Sequence, residues 1–285
     1  MNEDLHPEIR RARRDPRLAH GREAVIADWR SAMESAERVR RLADWGLYEL
    51  RESEDLERLR VQRKHRDANY EGNALRAARE RAALAAAEAD NQMVELNAMT
   101  LVAMMSATDA LVEGLVPQAY EMLIEWRVRE MMDEAARQHP EASARLPDEQ
   151  LGQMRRVLID ALKEKLGDIE GVPRAAGVTR WEQPLSKVGL AAPKDRPIPD
   201  DMVQSLSEII QLRHVIVHRA ARVDAKAIKN APSLPYADGD LVRIDRAGYK
   251  RYSAALWTYG EEILHRMGFG PSALDRWAMN YTINA

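Results

Sequence analysis

The sequence of 285 residues contains no cysteine, and it has only one phenylalanine and eight lysines. A chain without thiols cannot form disulfides, a cysteine-ligated zinc site or a catalytic thiolate. Aromatic residues make up only 5% of the chain, and β-branched residues are also scarce. Alanine, leucine, glutamate and arginine are abundant instead, and all four favour helices. The composition therefore predicts an all-α protein.

The sequence also lacks a continuous hydrophobic run of about 20 residues, the length that crosses a bilayer as a helix. Its first residues, MNEDLHPEIRRARRDPR, carry too many charges for a secretory signal peptide. The formal net charge is −3, and most of the 43 basic residues are arginines. This arginine bias fits a GC-rich genome as well as it fits nucleic-acid binding. We expect a cytoplasmic protein without membrane association.

The chain divides into four predicted segments, and its length is that of one or two domains. Residues 1–21 form a mobile charged arm, and residues 22–94 form long paired helices resembling a coiled coil. Residues 95–267 form a helical bundle, and residues 268–285 form a C-terminal tail. A basic arm can contact nucleic acid, but a solvated terminus is the commoner role of such a segment.

The prediction of paired helices rests on two heptad patterns. In each pattern the apolar or small residues are separated alternately by three and four positions, which is typical of coiled coils. The first comprises Val25, Trp29, Ala32, Ala36, Val39, Ala43, Gly46 and Leu50. The second comprises Leu75, Ala78, Ala82, Ala85, Ala89, Gln92, Leu96 and Met99. Neither stripe is expected to stay exposed, so the two helices pair as a hairpin or across a dimer.

The first half of the bundle is predicted to contain three helices. Gly114 and Pro117 interrupt an apolar pattern, and Pro117 is expected to begin a new helix that runs to about Gln138. A further helix is predicted over about residues 147–166. Its inner face is expected to comprise Leu151, Met154, Val157, Leu158, Ala161 and Leu162.

The second half of the bundle begins with a long irregular stretch. Residues 167–200 are rich in glycine and proline, so we expect them to be largely loop. Helical spacing resumes at Met202 and continues to His218. After a second irregular stretch, Asp245 is a predicted N-cap of the last helix.

One segment has the residues needed for chemistry, at the end of the helix that reaches His218. Residues 209–230 contain five basic side chains against Asp224 alone, so they form a basic patch suited to a phosphate. The planar fork of an arginine such as Arg213 holds phosphate oxygens, and a histidine such as His218 exchanges a proton with a hydroxyl near neutral pH. These groups are the minimum for cleaving a phosphodiester without a metal.

The spacing of this pair also bears on oligomeric state. Arg213 and His218 are five residues apart, which is about 140° around an ideal helix. One helix therefore does not easily direct both side chains at the same atom. A second copy across a two-fold axis would complete the site, and dimerisation would then be part of the mechanism.

The segment resembles the signature of the HEPN superfamily, the higher eukaryotes and prokaryotes nucleotide-binding domains. That signature is an arginine, then four to six residues of which the first is often Asn, Asp or His, then a histidine. Arg213, His214 and His218 match it. The upstream sequence MTLVAMMSATDALVEGLVP resembles the first core helix of the family, so the resemblance covers about residues 95–267.

The resemblance implies a helical bundle that dimerises and, in active members, a metal-independent endoribonuclease. The RNA 2′-hydroxyl attacks the adjacent phosphate, which leaves a 2′,3′-cyclic phosphate and a 5′-hydroxyl. By this resemblance His218 is the general acid or base, Arg213 stabilises the phosphorane, and His214 orients one of them or the substrate. Arg219 and Arg222 are assigned to RNA phosphate contact on charge alone. We expect no cofactor, and a toxin or defence effector restrained by an inhibitory partner or by its own N-terminal helices.

Other interpretations of these residues stay open at this point. Arg213 could pair with a carboxylate of another helix, and His218 could cap a helix C-terminus. His214 and His218 lie four apart as zinc ligands do, but the Glu of the HExxH motif and a third ligand are missing. Asp109 could be a polar helper of the site or an exposed helical residue. A non-catalytic helical scaffold is the alternative function.

Overall fold

The computed structural model describes residues 16–64, 68–167 and 177–274, together with Trp277. Most of these residues are helical, and the only β-type pairing among them is an isolated antiparallel bridge between Arg222 and Leu241. The predicted all-α fold is confirmed. The helices are α1 (Pro16–Arg51), α2 (Ser53–Lys64), α3 (Ala68–Asp90), α4 (Val94–Gln138), α5 (Pro140–Arg145), α6 (Asp148–Leu166), α7 (Thr179–Lys187), α8 (Asp200–His218), α9 (Ala225–Asn230) and α10 (Arg246–Arg266).

Helix α1 belongs to the core of the bundle. Residues 1–15 of the predicted arm lie outside the described residues, whereas residues 16–21 are already helical. Trp29 and Met33 are buried in the same hydrophobic core as residues of α4, α8 and α10. Trp29 packs edge-on against Trp257 of α10, with ring centroids 5.3 Å apart. The N-terminal helices therefore contact the bundle as well as one another.

The buried face of α1 departs from the predicted heptad pattern in its second half. Trp29 is buried as predicted, but Val39 is 59% exposed, and Arg40 is buried in its place. The Arg40 Nε donates to Asn97 Oδ1 at 2.8 Å, and its guanidinium lies 4.3 Å from the ring centroid of Tyr249. Polar contacts with α4 and α10 thus replace the apolar contact that a coiled coil would make here.

A turn divides the second predicted heptad stripe. Helix α3 ends at Asp90, and α4 begins at Val94. Between them, Gln92 and Met93 have φ angles of +58° and +55°, in the left-handed region that residues other than glycine rarely adopt. The prediction of one continuous helix reaching Met99 is therefore wrong, and Met99 itself is exposed.

Helix α4 is continuous over 45 residues and includes Pro117. The predicted break at Gly114 and Pro117 is therefore wrong: Pro117 removes one helical hydrogen bond, and the helices packed along α4 hold it through this point. Gly114 has a packing role instead, because a Cβ there would lie 2.8 Å from Cγ1 of Val25 on α1. By length and composition α4 could also cross a membrane. However, 56% of its most apolar window is buried in the structure, as in a core helix.

Helix α6 forms a hairpin-like pair with the second half of α4. Salt bridges join Lys163 to Glu121, at 3.1 Å, and Arg155 to Glu125. No residue of α6 is buried. The prediction that one face of this helix packs into the core is therefore wrong, and Val157 of that face is exposed.

The predicted loop of residues 167–200 contains helix α7. Residues 168–176 lie outside the described residues, but Trp181 and Leu185 of α7 are fully buried. In the tail, Trp277 is buried, and its Nε1 donates to the Asp201 carboxylate at 3.0 Å. The predicted start of the last helix is confirmed, since the Asp245 carboxylate accepts a hydrogen bond from the amide of Gly248 at 2.7 Å.

Candidate functional site

Helix α8, which carries the motif, is fixed in the bundle by a buried carboxylate. Glu208 is fully buried, and its Oε2 accepts a hydrogen bond from the Tyr252 hydroxyl at 2.7 Å and pairs with Arg251. Burial acts to raise the pKa of Glu208, but hydrogen bonds from Ser233 and Tyr252 and the nearby positive charge outweigh it. The pKa therefore lies below its ordinary value, and Glu208 remains ionised as an anchor between α8 and α10.

The chain turns sharply where α8 ends. Ala220 and Ala221 have φ angles of +48° and +58°, and the Ala221 amide donates back to the Val215 carbonyl at 3.2 Å. The chain then pairs with residues 239–242, since the Val223 amide donates to the Asp240 carbonyl at 2.9 Å. This left-handed conformation is sterically unfavourable for alanine, and residues strained in this way are concentrated at functional sites.

The two histidines of the motif face the same side of α8. Their ring centroids are 5.1 Å apart, and His214 is half-buried while His218 is exposed. Burial lowers the pKa of His214, and the charges of His218 and Lys226 lower it further. Asp224 opposes this shift with a smaller effect. His214 is therefore neutral at pH 7 and can accept a proton or a hydrogen bond.

Arg213 lies on a neighbouring face of the helix, about 100° from His214. It is half-buried, and its Nε is shielded from solvent without a hydrogen-bond partner. Within the described part of the chain, no ion pair forms at its guanidinium. The interpretation of Arg213 as an ordinary ion-pairing residue thus has no partner among these residues. The remaining guanidinium donors of this half-buried side chain are therefore not engaged in an ion pair that an anion would have to displace.

The neighbouring basic side chains already make some contacts within the protein. Arg219 contacts Asp224 at 3.5 Å, and Arg222 donates from Nη1 to the Gly239 carbonyl at 3.1 Å. Asp224 also caps α9, because its Oδ1 accepts from the Ala227 amide at 2.8 Å. Both arginines are exposed, so these contacts leave further donors directed at solvent.

Asp109 is buried rather than exposed, and its hydrogen bond and ion pair are both with residues of α7. Its Oδ1 accepts from Trp181 Nε1 at 2.8 Å, and it pairs with Arg180 at 3.0 Å. The expectation of an exposed helical aspartate is therefore wrong. Its carboxylate binds α7 to α4, so the role of polar helper at Arg213 has no support here.

The described residues contain no group of three or more histidine, aspartate or glutamate side chains arranged to hold a metal ion. Comparison with protein-family models, curated proteins and solved structures gives no match. The function must therefore be inferred from the site itself.

Proposed function

We propose that the protein is a metal-independent endoribonuclease of HEPN type, with its site at the end of α8. The observation that carries this proposal is that the half-buried Arg213, which forms no ion pair within the described residues, lies on the same end of α8 as the His214 and His218 pair. An arginine with unused donors supports binding of a phosphate, and adjacent imidazoles support proton transfer at neutral pH.

The proposed reaction uses the substrate's own nucleophile. The RNA 2′-hydroxyl loses its proton to a histidine and attacks the neighbouring phosphorus, forming a new P–O bond. The bond to the 5′-oxygen breaks, and that oxygen takes a proton from a second acidic group. The products are a 2′,3′-cyclic phosphate and a 5′-hydroxyl. Arg213 stabilises the phosphorane, and His218 is the general acid or base.

Neutral His214 also has a role in the proposed reaction. Its lowered pKa supports a role as hydrogen-bond acceptor, either from the 2′-hydroxyl or from protonated His218, which is 5.1 Å away between ring centroids. Arg219 and Arg222 contact neighbouring phosphates of the RNA. In the proposed setting the protein acts in the cytoplasm as a toxin or defence effector, restrained by an inhibitory partner protein.

A homodimer completes the proposed site. Arg213 is about 140° from His218 around α8, so the two side chains of one chain point in different directions. A two-fold axis near the end of α8 brings Arg213 of one copy to His218 of the other.

RNA cleavage by the purified protein in EDTA tests the proposal. We expect His218→Ala and Arg213→Ala each to reduce cleavage at least about 100-fold, since general acid–base and charge stabilisation contribute at this level. Arg213→Lys keeps the charge but loses the planar fork, so it is expected to restore little activity. His139→Ala, which removes another exposed histidine, is the matched control and should cleave normally. Circular dichroism should remain unchanged in all four.

Mixing two inactive variants tests the shared site. A heterodimer of the Arg213→Ala and His218→Ala chains contains one intact site, so an equal mixture should regain about a quarter of the wild-type activity. Absence of cleavage by the wild-type protein, with loss of the dimer in Arg213→Ala, would instead identify a non-catalytic scaffold.

A further inference from the structure

A surface groove of about 630 Å³ lies outside the α8 motif. It is formed by the second half of α1, the turn between α3 and α4, and the first residue of α10. Its lining includes Arg41, Asp44, Trp45, Tyr48, Arg51 and Arg246. We call these residues the α1 groove.

The α1 groove has two unusually exposed aromatic side chains. Trp45 is 63% exposed and Tyr48 is 61% exposed, although both residue types are commonly buried in folded proteins. They are three residues apart on α1, so they lie on the same face of the helix, one turn from each other. Flat rings spaced in this way offer successive surfaces for stacking.

Arginines flank the two rings on the same helix face. Arg41 precedes Trp45 by four residues, and Arg51 follows Tyr48 by three. Arg51 is exposed and forms no ion pair within the described part of the chain. The contact of Arg41 with Glu37 is 3.6 Å long and solvent-exposed, so it holds the guanidinium only weakly.

The single carboxylate of the groove is already neutralised. Both oxygens of Asp44 accept hydrogen bonds from Arg246 Nη2, at 3.1 and 2.9 Å. This pair joins α1 to α10, so the remaining cations of the groove are Arg51 and the weakly paired Arg41. The groove therefore presents exposed aromatic rings between cations and favours an anionic ligand with flat, stackable groups.

We propose that the α1 groove binds single-stranded RNA, with bases stacked on Trp45 and Tyr48 and phosphates bound by Arg41 and Arg51. This combination of a cationic track and aromatic stacking surfaces is the one by which proteins bind unpaired strands. Tryptophan, tyrosine and arginine are also enriched in protein interfaces, so an interface between copies of this chain is the alternative that the experiment below tests. The choice of RNA rather than DNA rests on the proposed ribonuclease function.

The chain itself connects the α1 groove to the α8 motif. Arg222, four residues after His218, is bridged to Leu241, and the segment from Leu241 leads directly to Arg246 in the groove. Within that segment Arg243 is exposed and bonded to Asn91. Five residues span at most about 17 Å even when fully extended. A strand held in the groove can thus follow exposed arginines towards the candidate site.

Binding of a non-cleavable RNA to the full-length protein tests this proposal. The probe is a fluorescein-labelled 12-nucleotide 2′-O-methyl oligouridylate, whose blocked 2′-oxygen prevents the proposed cleavage, and the readout is fluorescence anisotropy. We expect Trp45→Ala and Tyr48→Ala each to weaken binding about fivefold or more. Trp45→Phe keeps a stacking ring and should retain most of the affinity. Arg41→Ala should reduce the slope of log affinity against log salt by about 0.7.

Matched controls come from the opposite end of α4. Trp126→Ala removes a tryptophan with an arginine 4.6 Å from its ring centroid, and Arg137→Ala removes an exposed arginine paired within its helix. Both should bind the probe as the wild type does. Tight binding of a 12-base-pair duplex of the same chemistry, or equal affinity of Trp45→Ala and Trp126→Ala, would overturn the proposal.

The result of the binding experiment can be distinguished from the result of the cleavage experiment. His218→Ala should bind the probe normally, and binding without any cleavage by the wild type would refute the catalytic proposal alone. Cleavage with unaltered binding by Trp45→Ala would refute the groove alone. A change of Trp45→Ala from dimer to monomer in sedimentation, without loss of RNA affinity, would make the groove an interface between copies and refute the proposal.

Discussion

Replacing Gly260 with alanine tests how closely α1 is packed into the bundle. In an ordinary helix this change stabilises by about 1 kcal/mol, because alanine is the better helix former. At position 260, however, an added Cβ would lie 2.1 Å from Cζ2 of Trp29 and 2.8 Å from two further ring atoms. Carbon atoms pack at about 3.5–4.0 Å, so the indole ring must move by about 1.5 Å.

The surroundings of Trp29 make that movement costly. The ring is almost fully buried and packs edge-on against Trp257. Forcing an extra methyl group into such a core costs about 1–3 kcal/mol. The gain in helix propensity offsets about 1 kcal/mol of this cost, so Gly260→Ala should destabilise the protein by up to about 2 kcal/mol.

A double-mutant cycle measured by urea unfolding, with circular dichroism as the signal, isolates this contact. Trp29→Ala alone should cost about 3–5 kcal/mol. In that background Gly260→Ala has room and should stabilise by about 1 kcal/mol, giving a coupling energy of about 1–3 kcal/mol. Gly152→Ala on α6, where an added Cβ meets no atom within 4 Å, should stabilise in both backgrounds. If Gly260→Ala has the same effect with and without Trp29, α1 does not pack on α10 as described.

Two further predictions concern titrating groups of α8. Lys226→Gln removes a positive charge that lowers the pKa of His214, so that pKa should rise towards 6.5 in an NMR titration; an unchanged value contradicts the electrostatic explanation. Glu208→Ala leaves the Tyr252 hydroxyl without its buried acceptor and should cost about 1–3 kcal/mol at pH 7. Because the folded-state pKa of Glu208 is lowered, its contribution is present above the unfolded-state pKa and is lost as the pH falls through the folded value. The difference between wild type and variant in urea unfolding should therefore shrink in acid, and a pH-independent difference would refute this.

Composition and apolar spacing were sufficient to predict an all-α fold, but not every helix boundary or the residues that each helix face contacts. The spacing placed Trp29 in the interior correctly, because a tryptophan in an apolar stripe is buried by any neighbouring helix. It could not predict that Arg40 replaces Val39, since that depends on Asn97 and Tyr249 meeting the guanidinium from other helices. The Pro117 error has the same origin, because tertiary packing outweighs the local helix-breaking tendency of proline.

At the candidate site, the sequence was enough to identify the motif residues, but not the contacts and the turn that hold them in place. The positions of His214 and His218 on one face follow from their spacing of four, and the structure places them there. Glu208 was missed as an anchor because its partners, Arg251 and Tyr252, are more than 40 residues away. The left-handed turn at Ala220 and Ala221 was also unpredictable, since alanine gives no sequence signal for that conformation.

The packing of α1 limits how the proposed enzyme can be restrained. Detaching α1 would expose Ile26, Trp29 and Met33, each of which is now buried against the bundle. Large apolar side chains each contribute about 1.5–3 kcal/mol on burial, so this loss approaches the whole stability of a typical domain, about 5–15 kcal/mol. We therefore expect removal of α1 to destabilise the bundle rather than only to uncover a site. The proposal that fits this packing is restraint by a separate chain covering the basic end of α8 or the α1 groove. Because the groove lies on α1 itself, deleting the N-terminal helices to release activity should abolish it instead.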